Sequence, residues 1–272
     1  MARIGTTPFS FPDFRGATRR LVLVNLVAYF LLAVAGMISP GMVYRGAAWL
    51  VFSPDLFLQH YAFWQPFTYS LIHSGIVSTA FELLSLWFLA GFLESLHSDV
   101  WVIGLYVASV IGTALAAVAL YVIAAGLGHP LETVPLYGCF GGIFGLLIAI
   151  GILYGDMEFL LFFTIGIKAR YMAILYGLIA IAMLFGQQKV YAFAQLGGAL
   201  AGWLYIRVAP RRGFSFLLSE RLYGLRNRYY RWKRRRAARK FEVYMRSQGR
   251  TVKFDGQGRQ IDDDHDDKSR WN

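Results

Sequence analysis

Six long apolar runs constrain the fold of this chain more than any other feature of its sequence. Crossing the hydrocarbon of a bilayer takes about 20 mostly apolar residues in a helix, because only a helix satisfies its own backbone hydrogen bonds there. The 272 residues are 57% apolar, more than one soluble core would bury. We therefore expect an all-α membrane protein whose six spans are Leu21–Ser39, Tyr69–Phe92, Val100–Ala125, Leu136–Tyr154, Tyr171–Gly186 and Val190–Val208.

The positions of the spans divide the chain into four parts. Residues 1–20 form a cytoplasmic N-terminus, 21–208 the transmembrane domain, 209–254 a basic tail, and 255–272 an acidic C-terminus that we expect to be disordered. A further apolar stretch at 159–167 is too short to span, and we interpret it as an interfacial loop.

The distribution of basic residues predicts the orientation. Arginines precede the first span and the tail is densely basic, whereas the opposite side carries only Arg45 and Lys189. Cytoplasmic loops are enriched in Lys and Arg. Both termini are therefore predicted to face the cytoplasm, and loops 40–68, 126–135 and 187–189 the other side.

The tail accounts for the basic character of the whole chain. Between Arg207 and Lys253 there are sixteen Lys or Arg and two Glu, a net +14 against +11 overall, so the remainder sums to −3. Apolar residues recur there at helical spacing: Leu218, Leu222, Leu225, Tyr229 and Trp232. We expect an amphipathic cytoplasmic helix on an anionic lipid leaflet, in preference to a nucleic-acid-binding segment.

Two polar places interrupt otherwise apolar spans, where polar side chains are costly. Ser78, Glu82 and Ser85 share one face of the second span, and we expect that face to point inward. Gln195 lies on the sixth span beside Gly198-x-x-x-Gly202, and the fourth span contains Gly141-x-x-x-Gly145. Small residues at this spacing allow helices to approach closely, so the second, fourth and sixth spans are predicted to form a tight inner bundle.

Five motifs occur in register with these spans. They are FWQPFTYSLIHSG at 63–75, LWFLAGFLE at 86–94, GCFGGIFGLL at 138–147, IKARYM at 167–172 and QLGGALAGWLY at 195–205. In order and spacing the set resembles the rhomboid intramembrane serine proteases over residues 20 to 208. The resemblance implies a six-helix rhomboid-like bundle, and its local motifs look closest to bacterial members, which implies a bacterial inner membrane.

The residues that carry rhomboid chemistry are mostly replaced. The resemblance places the nucleophilic serine at Phe140 and its histidine base at Gln195, and it places the oxyanion region at His73, Ser78 and Glu82, where only His73 is retained. The motif glycines that it carries over are Gly138, Gly141, Gly142, Gly145, Gly197, Gly198 and Gly202.

These replacements remove the serine hydrolase chemistry. Hydrolysis needs a nucleophile, a base near it and donors for the oxyanion. Phe140 offers no heteroatom, and the amide of Gln195 does not accept a proton at physiological pH. Cys139 is adjacent to the lost serine, but we expect it to be a structural cysteine with no histidine near it inside the membrane. The chain is predicted to be a non-proteolytic pseudoprotease with no intact catalytic residue.

The remaining site predictions concern polar contacts and metals. One hypothesis is that Glu82 and Gln195 share a polar network; the equally weighted alternative is that each bonds separately to backbone. His60, His97, His129 and His265 fall in predicted loops or the tail. Since no ligand motif is present, no metal site and no cofactor are predicted.

Three functions stay open at this point. The leading one is a scaffold that binds transmembrane helices of single-span client proteins between the second and fifth spans, as the resemblance implies. The second is an active intramembrane endopeptidase of the serine type with rearranged catalytic residues. The third is a transporter or channel, which would need a continuous polar path that the spans do not offer.

Overall fold

The computed structural model describes residues 12–128, 134–161, 165–186, 188–209, 214–249, 253–254 and 260–261. It divides into two compact units, residues 1–214 and 215–272. The first unit contains α1 Gly16–Ile38, α2 Pro40–Leu50, α3 Pro54–Gln59, α4 Gln65–Thr68, a 3-10 turn Tyr69–Leu71, α5 Ile76–Glu94, α6 Asp99–Gly126, α7 Phe140–Leu153, β1 Glu158–Leu161, β2 Ile165–Lys168, α8 Ala169–Met183 and α9 Lys189–Val208. The second contains α10 Phe214–Ser247, β3 Lys253–Phe254 and β4 Gln260–Ile261.

Three of the described helices are long and apolar enough to cross a membrane: α1, α5 and α6. The helices α7 and α8 are apolar but have only 14 and 15 residues. At 1.5 Å per residue, α7 is about 21 Å long, against about 30 Å of hydrocarbon. Helix α9 has 20 residues but carries Lys189, Gln195 and Arg207. Composition and length thus indicate three spans among the described helices, and the count of six stays a prediction.

The inner bundle is built around α7, which contacts α5, α6, α8 and α9. Nine of its fourteen residues are buried. Where α7 and α9 cross, a Cβ added at Gly202 would lie 2.8 Å from the Cα of Gly145, and one at Gly198 would lie 2.9 Å from the carbonyl oxygen of Gly141. The predicted close approach of these two helices is confirmed.

The third member of the close-packed group differs from the prediction. Helix α6, and not α5, makes the most extensive contact with α9. On this side Gly112 of α6 meets Ala201, and Gly197 of α9 meets Ala116. The sequence analysis missed this face because alanine inside an apolar helix is not distinguishable from ordinary filler.

The start of α1 is fixed by a residue at the far end of α5. Glu94 accepts hydrogen bonds from the backbone amides of Ala17 and Thr18 at 3.1 and 2.9 Å, and from the hydroxyl of Thr18. A helix N-terminus has unsatisfied amides and a partial positive charge, both of which a carboxylate compensates. The side chain of Glu94 therefore joins α1 to α5.

Two predicted loops contain regular structure. Residues 40–68, predicted as an outer loop, form α2, α3 and α4, with Phe52 and Gln65 fully buried. In the stretch predicted as an interfacial loop, the described residues form two antiparallel strands, in which Glu158 pairs with Lys168 and Leu161 with Ile165. The described part of the fold is thus helical with small two-stranded additions.

The second unit is dominated by α10. From residue 226 to 236, every described Lys and Arg side chain is exposed, and Tyr229 and Trp232 are 56% and 55% exposed. The side chains of Leu218, Leu222 and Leu225 lie outside the described residues, as does the acidic segment 262–267. Phe214–Ser247 is thus helical, whereas the amphipathic character of the tail and its apolar stripe stay predictions.

Candidate functional site

Three side chains that can bind a metal or carry out acid–base chemistry meet inside the first unit. One ligand atom each from His73, Glu82 and Cys139 lie within 4.8 Å of one another. The Nε2 atom of His73 is 3.9 Å from Oε2 of Glu82, and Sγ of Cys139 is 3.5 Å from the same oxygen. We call this group the HEC cluster.

Backbone hydrogen bonds bring the members of the HEC cluster together. The amide of Gly138 donates to the carbonyl oxygens of Tyr69 and Ile72 at 3.1 and 2.7 Å. These bonds hold Cys139, the next residue after Gly138, beside His73, the next residue after Ile72. The side chain of Glu82 extends toward His73 and Cys139 from the buried side of α5. It accepts a hydrogen bond from the backbone amide of Cys139 at 2.9 Å. The start of α7 is therefore tied both to the turn before α5 and to α5 itself.

Gly138 is required at its position for two reasons. Its φ angle is +85°, in the region that favours glycine. A Cβ atom at this position would also lie 2.8 Å from Oε2 of Glu82. The glycine thus lets the carboxylate approach the chain just before Cys139.

His73 is the unusual member of the HEC cluster. Its side chain is fully buried, and neither ring nitrogen has a hydrogen-bond partner among the described residues. Burial lowers the pKa of the His73 imidazole, so the ring is neutral at physiological pH. A buried polar group without a partner is costly, which makes the two nitrogens the main unexplained polar atoms of this site.

Phe140 and Gln195 line one small cavity, together with Tyr69, Thr113, Leu136, Gly138, Gly141, Tyr191 and Ala194. Its volume is 10 Å³, whereas one water needs at least about 10–15 Å³. A peptide segment would not fit there. The aromatic ring and the amide therefore sit side by side around almost no free space.

The hypothesis of a polar network between Glu82 and Gln195 has no direct hydrogen bond to support it. Glu82 bonds to Cys139 instead, and no hydrogen bond joins it to Gln195, although both residues are described. The backbone amide is the stronger competitor because it points at the carboxylate from the start of α7. For Glu82, the alternative of a separate bond to backbone is therefore correct.

Two further predictions about this region are wrong. Ser78 is exposed and donates its hydroxyl to the backbone oxygens of Ser74 and Gly75, so it does not share an inward face with Glu82. Cys139 was expected to have no histidine near it, yet His73 lies within 4.8 Å. The second error arises because α5 begins at Ile76, which leaves His73 in the preceding turn.

The motif glycines are mostly packing residues. A Cβ added at Gly141 would overlap Thr113, one at Gly142 would overlap Tyr106, and one at Gly145 would overlap Ser109. These three glycines of α7 thus face α6, whereas the fourth, Gly151, faces Ala173 of α8. Of the other histidines, His60 is exposed and His97 stacks on Trp101, while His129 and His265 lie outside the described residues.

The HEC cluster itself was missed by the sequence analysis. His73 and Glu82 are nine positions apart across a helix start, and Cys139 is 57 positions beyond Glu82, so no local spacing marks the three as a set. The only available signal was that each is a polar or sulfur-containing residue beside an apolar span.

Comparison with protein families decides the relationship of this chain. A family model described as "Eukaryotic integral membrane protein (DUF1751)" matches residues 19–211. The chain belongs to this family. No curated protein matches the sequence.

Membership of the DUF1751 family corrects two predictions. The chain is not assigned to the rhomboid proteases, since the family model that matches is the DUF1751 one. The glycine motifs that suggested rhomboids serve helix packing here, which many membrane bundles require. The bacterial inner membrane is also wrong, because the DUF1751 family is eukaryotic. Location in a membrane agrees with the family description.

Proposed function

We propose that this DUF1751 protein is a non-proteolytic, multi-pass membrane protein that binds a transmembrane helix of a partner protein along α5. The observation that carries the proposal is an apolar groove on the outer face of α5. It is lined only by Ile76, Val77, Ala80, Phe81 and Leu84 and has a volume of about 270 Å³.

The shape of the groove favours a helix as its occupant. Ile76, Ala80 and Leu84 form an i, i+4, i+8 row, and the ridges of a second helix fit into such rows. Ala80 lies at the centre, where a small side chain lets the backbones approach closely. Phe81 and Val77, exposed by 65% and 64%, form one wall.

Neighbouring helices leave this side of α5 accessible. Helices α5 and α8 both pack against α7 and make at most marginal contact with each other. An additional helix therefore has room beside α5 without displacing a large interface of the bundle.

Non-proteolytic behaviour is supported by the surroundings of Phe140 and Gln195. The cavity of about 10 Å³ between them has no room for a peptide segment. The sulfur of Cys139 has the carboxylate of Glu82 as its hydrogen-bond acceptor, and a carboxylate beside a thiol disfavours the nucleophilic thiolate.

Site-specific photo-crosslinking tests the binding face. A photoreactive amino acid replaces Phe81 in native membranes, and the matched control replaces Val122, an exposed residue of α6. We expect protein adducts with single-span partners from position 81 but not from 122, and their loss in Ala80→Leu, which fills the groove. Adducts with lipid alone at both positions would contradict the proposal.

A cleavage assay tests the non-proteolytic part separately. The purified chain is incubated in liposomes with a transmembrane peptide that carries a fluorescent reporter. We expect no turnover. Turnover that disappears in Cys139→Ala would instead establish the alternative, an endopeptidase with rearranged catalytic residues.

We further propose that α1, α5, α6, α7, α8 and α9 all cross the bilayer. The short α7 is supported in this role by its four helical neighbours, which shield it from lipid. Single cysteines placed at the two ends of each helix in a Cys139→Ala background, and labelled from one side of sealed vesicles, measure the count. Labelling of both ends of α7 from the same side would show that α7 does not cross the bilayer and would lower the number of spans.

The basic tail is proposed to bind anionic lipid from the cytoplasmic side. Along residues 226–236 the exposed cations alternate with exposed Tyr229 and Trp232, a composition typical of membrane-surface helices. Hydrogen exchange of α10 in nanodiscs tests this. We expect slower exchange with phosphatidylserine than with phosphatidylcholine alone, and equal rates would contradict it.

A further inference from the structure

We propose that the HEC cluster is a binding site for one divalent transition-metal ion of the zinc type. This site is separate from the α5 groove, which lies on the exposed side of the same helix.

The three residues supply a chemically complete set of protein ligands. Imidazole nitrogen, carboxylate oxygen and thiolate sulfur are the three ligand types of zinc, and three protein ligands leave a fourth position for water or a substrate. His73, Glu82 and Cys139 contribute one of each.

The separations between the ligand atoms suit a tetrahedral ion. Ligand atoms around zinc lie roughly 3.3–3.6 Å apart, given metal–ligand bonds of about 2.0–2.3 Å. The sulfur–oxygen distance is 3.5 Å and the nitrogen–oxygen distance is 3.9 Å. The widest pair lies within 4.8 Å, so a small side-chain rotation of His73 closes the site.

The unpartnered histidine is the second observation that points to a ligand. Both ring nitrogens are buried without a hydrogen-bond partner among the described residues, while Nε2 faces the carboxylate. A metal ion at this position would accept the Nε2 lone pair and remove the cost of leaving it unsatisfied.

A divalent ion would also balance the charge that the ligands carry once Cys139 loses its proton to bind it. An ionised Glu82 and a Cys139 thiolate would be two buried negative charges in contact, and buried like charges are strongly unfavourable. A divalent ion compensates both. One lone pair of Oε2 of Glu82 accepts the hydrogen bond from the Cys139 amide, and a second lone pair of this oxygen is available to bind the metal.

The ligand types also select the class of metal. Calcium and magnesium take oxygen ligands and would not use a thiolate or an imidazole. Thiolate and imidazole together favour zinc and its borderline relatives such as cobalt. We therefore assign the site to a zinc-type ion.

Cobalt is the most direct probe because Cys139 is the only cysteine of the chain. Metal-stripped full-length protein in detergent is titrated with Co²⁺ under reducing conditions. We expect one ion per chain, a thiolate-to-cobalt charge-transfer band that only Cys139 can produce, and displacement of that band by Zn²⁺. A folded wild-type protein without this band would overturn the proposal, with no variant needed.

Variants then assign the remaining ligands. Zinc affinity is measured by competition with a chromogenic chelator. We expect Cys139→Ser, His73→Ala and Glu82→Gln each to weaken it by about 100-fold or more, since loss of even an outer-shell partner costs 10–100-fold. The matched controls His60→Ala and Glu158→Gln alter exposed residues of the same types and leave affinity unchanged. Wild-type affinity in His73→Ala or Glu82→Gln would overturn the assignment.

Thermal unfolding of the same proteins checks the result. Zinc stabilises a folded protein that binds it by mass action. We expect Zn²⁺ to raise the Tm of the wild type and of both controls and to leave the Tm of the three ligand variants unchanged. An equal rise in all six proteins would place the ion elsewhere on the chain and contradict the proposal.

Discussion

The carboxylate of Glu82 accepts a hydrogen bond from the backbone amide of Cys139 at 2.9 Å, across 57 positions of the chain. The bond joins the buried face of α5 to the first turn of α7, which is the centre of the bundle. Glu82 thus has a structural role whether or not a metal is bound, and this role is testable by itself.

Two substitutions of Glu82 distinguish the contribution of its hydrogen bond to stability from that of its charge. In metal-free protein we expect Glu82→Ala to lower the free energy of unfolding by about 1–3 kcal/mol, because the buried Cys139 amide loses its acceptor. Glu82→Gln keeps an oxygen acceptor and should lose less. Thermal unfolding in detergent measures both, with the exposed Ser78→Ala as control. A Glu82→Ala protein as stable as the control would show that the bond contributes nothing.

Gly138 and Gly128 both have a positive φ, and substituting each by alanine distinguishes the cost of backbone strain from the cost of a steric contact with a neighbour. Gly138→Ala and Gly128→Ala each force alanine into a left-handed conformation, at a cost of roughly 1–2 kcal/mol. Only Gly138 has a neighbour, Oε2 of Glu82, within reach of the new methyl group; Gly128 has open space. We expect Gly138→Ala to be clearly the less stable of the two in thermal unfolding. Equal losses would mean that the carboxylate moves away freely.

The crossing of α6 and α7 depends on the absence of a side chain at Gly145. An alanine methyl group there would overlap the side chain of Ser109, and overpacking of this kind costs about 1–3 kcal/mol. Gly177 of α8 has nothing within 4 Å of its Cβ position. Gly177→Ala should therefore be neutral or stabilising, by up to about 1 kcal/mol from helix propensity. Comparable destabilisation by both substitutions would argue against the crossing.

Glu94 is expected to hold the N-terminus of α1. Glu94→Ala removes the acceptor of two backbone amides and one hydroxyl, and we expect a loss of about 1–3 kcal/mol with faster hydrogen exchange at residues 17 and 18. Glu158→Ala alters an exposed glutamate and serves as control. Unchanged exchange at Ala17 and Thr18 in Glu94→Ala would show that solvent replaces the carboxylate.

The membrane class of the chain and the close approach of α7 and α9 could be read from the sequence, because hydropathy and small-residue spacing are local signals. The capping of α1 by Glu94 could not, since a residue 76 or more positions away satisfies the amides. The same applies to the HEC cluster. His73 falls inside the predicted second span, whereas in the structure a turn before α5 carries its ring to the start of α7.

Resemblance to a protease family was a less reliable guide than the residues themselves. Glycines at positions 141, 145, 198 and 202 lie where helices approach one another closely, and small residues serve this purpose in many membrane bundles, so they indicate a packing mode that unrelated bundles share. Phe140 and Gln195, whose side chains supply neither a nucleophile nor a base, were the positions at which the chain departed from that family's pattern.

The shortness of α7 has a consequence for how the chain is inserted. A helix of 14 residues leaves about 9 Å of hydrocarbon unmatched if it enters the lipid alone. The backbone amide of Cys139 at its N-terminus moreover donates a hydrogen bond to Glu82, which is synthesised 57 residues earlier. If α7 crosses the bilayer as proposed, it is thus unsuited to partition by itself and suited to settle against α5 and α6, which precede it in the chain.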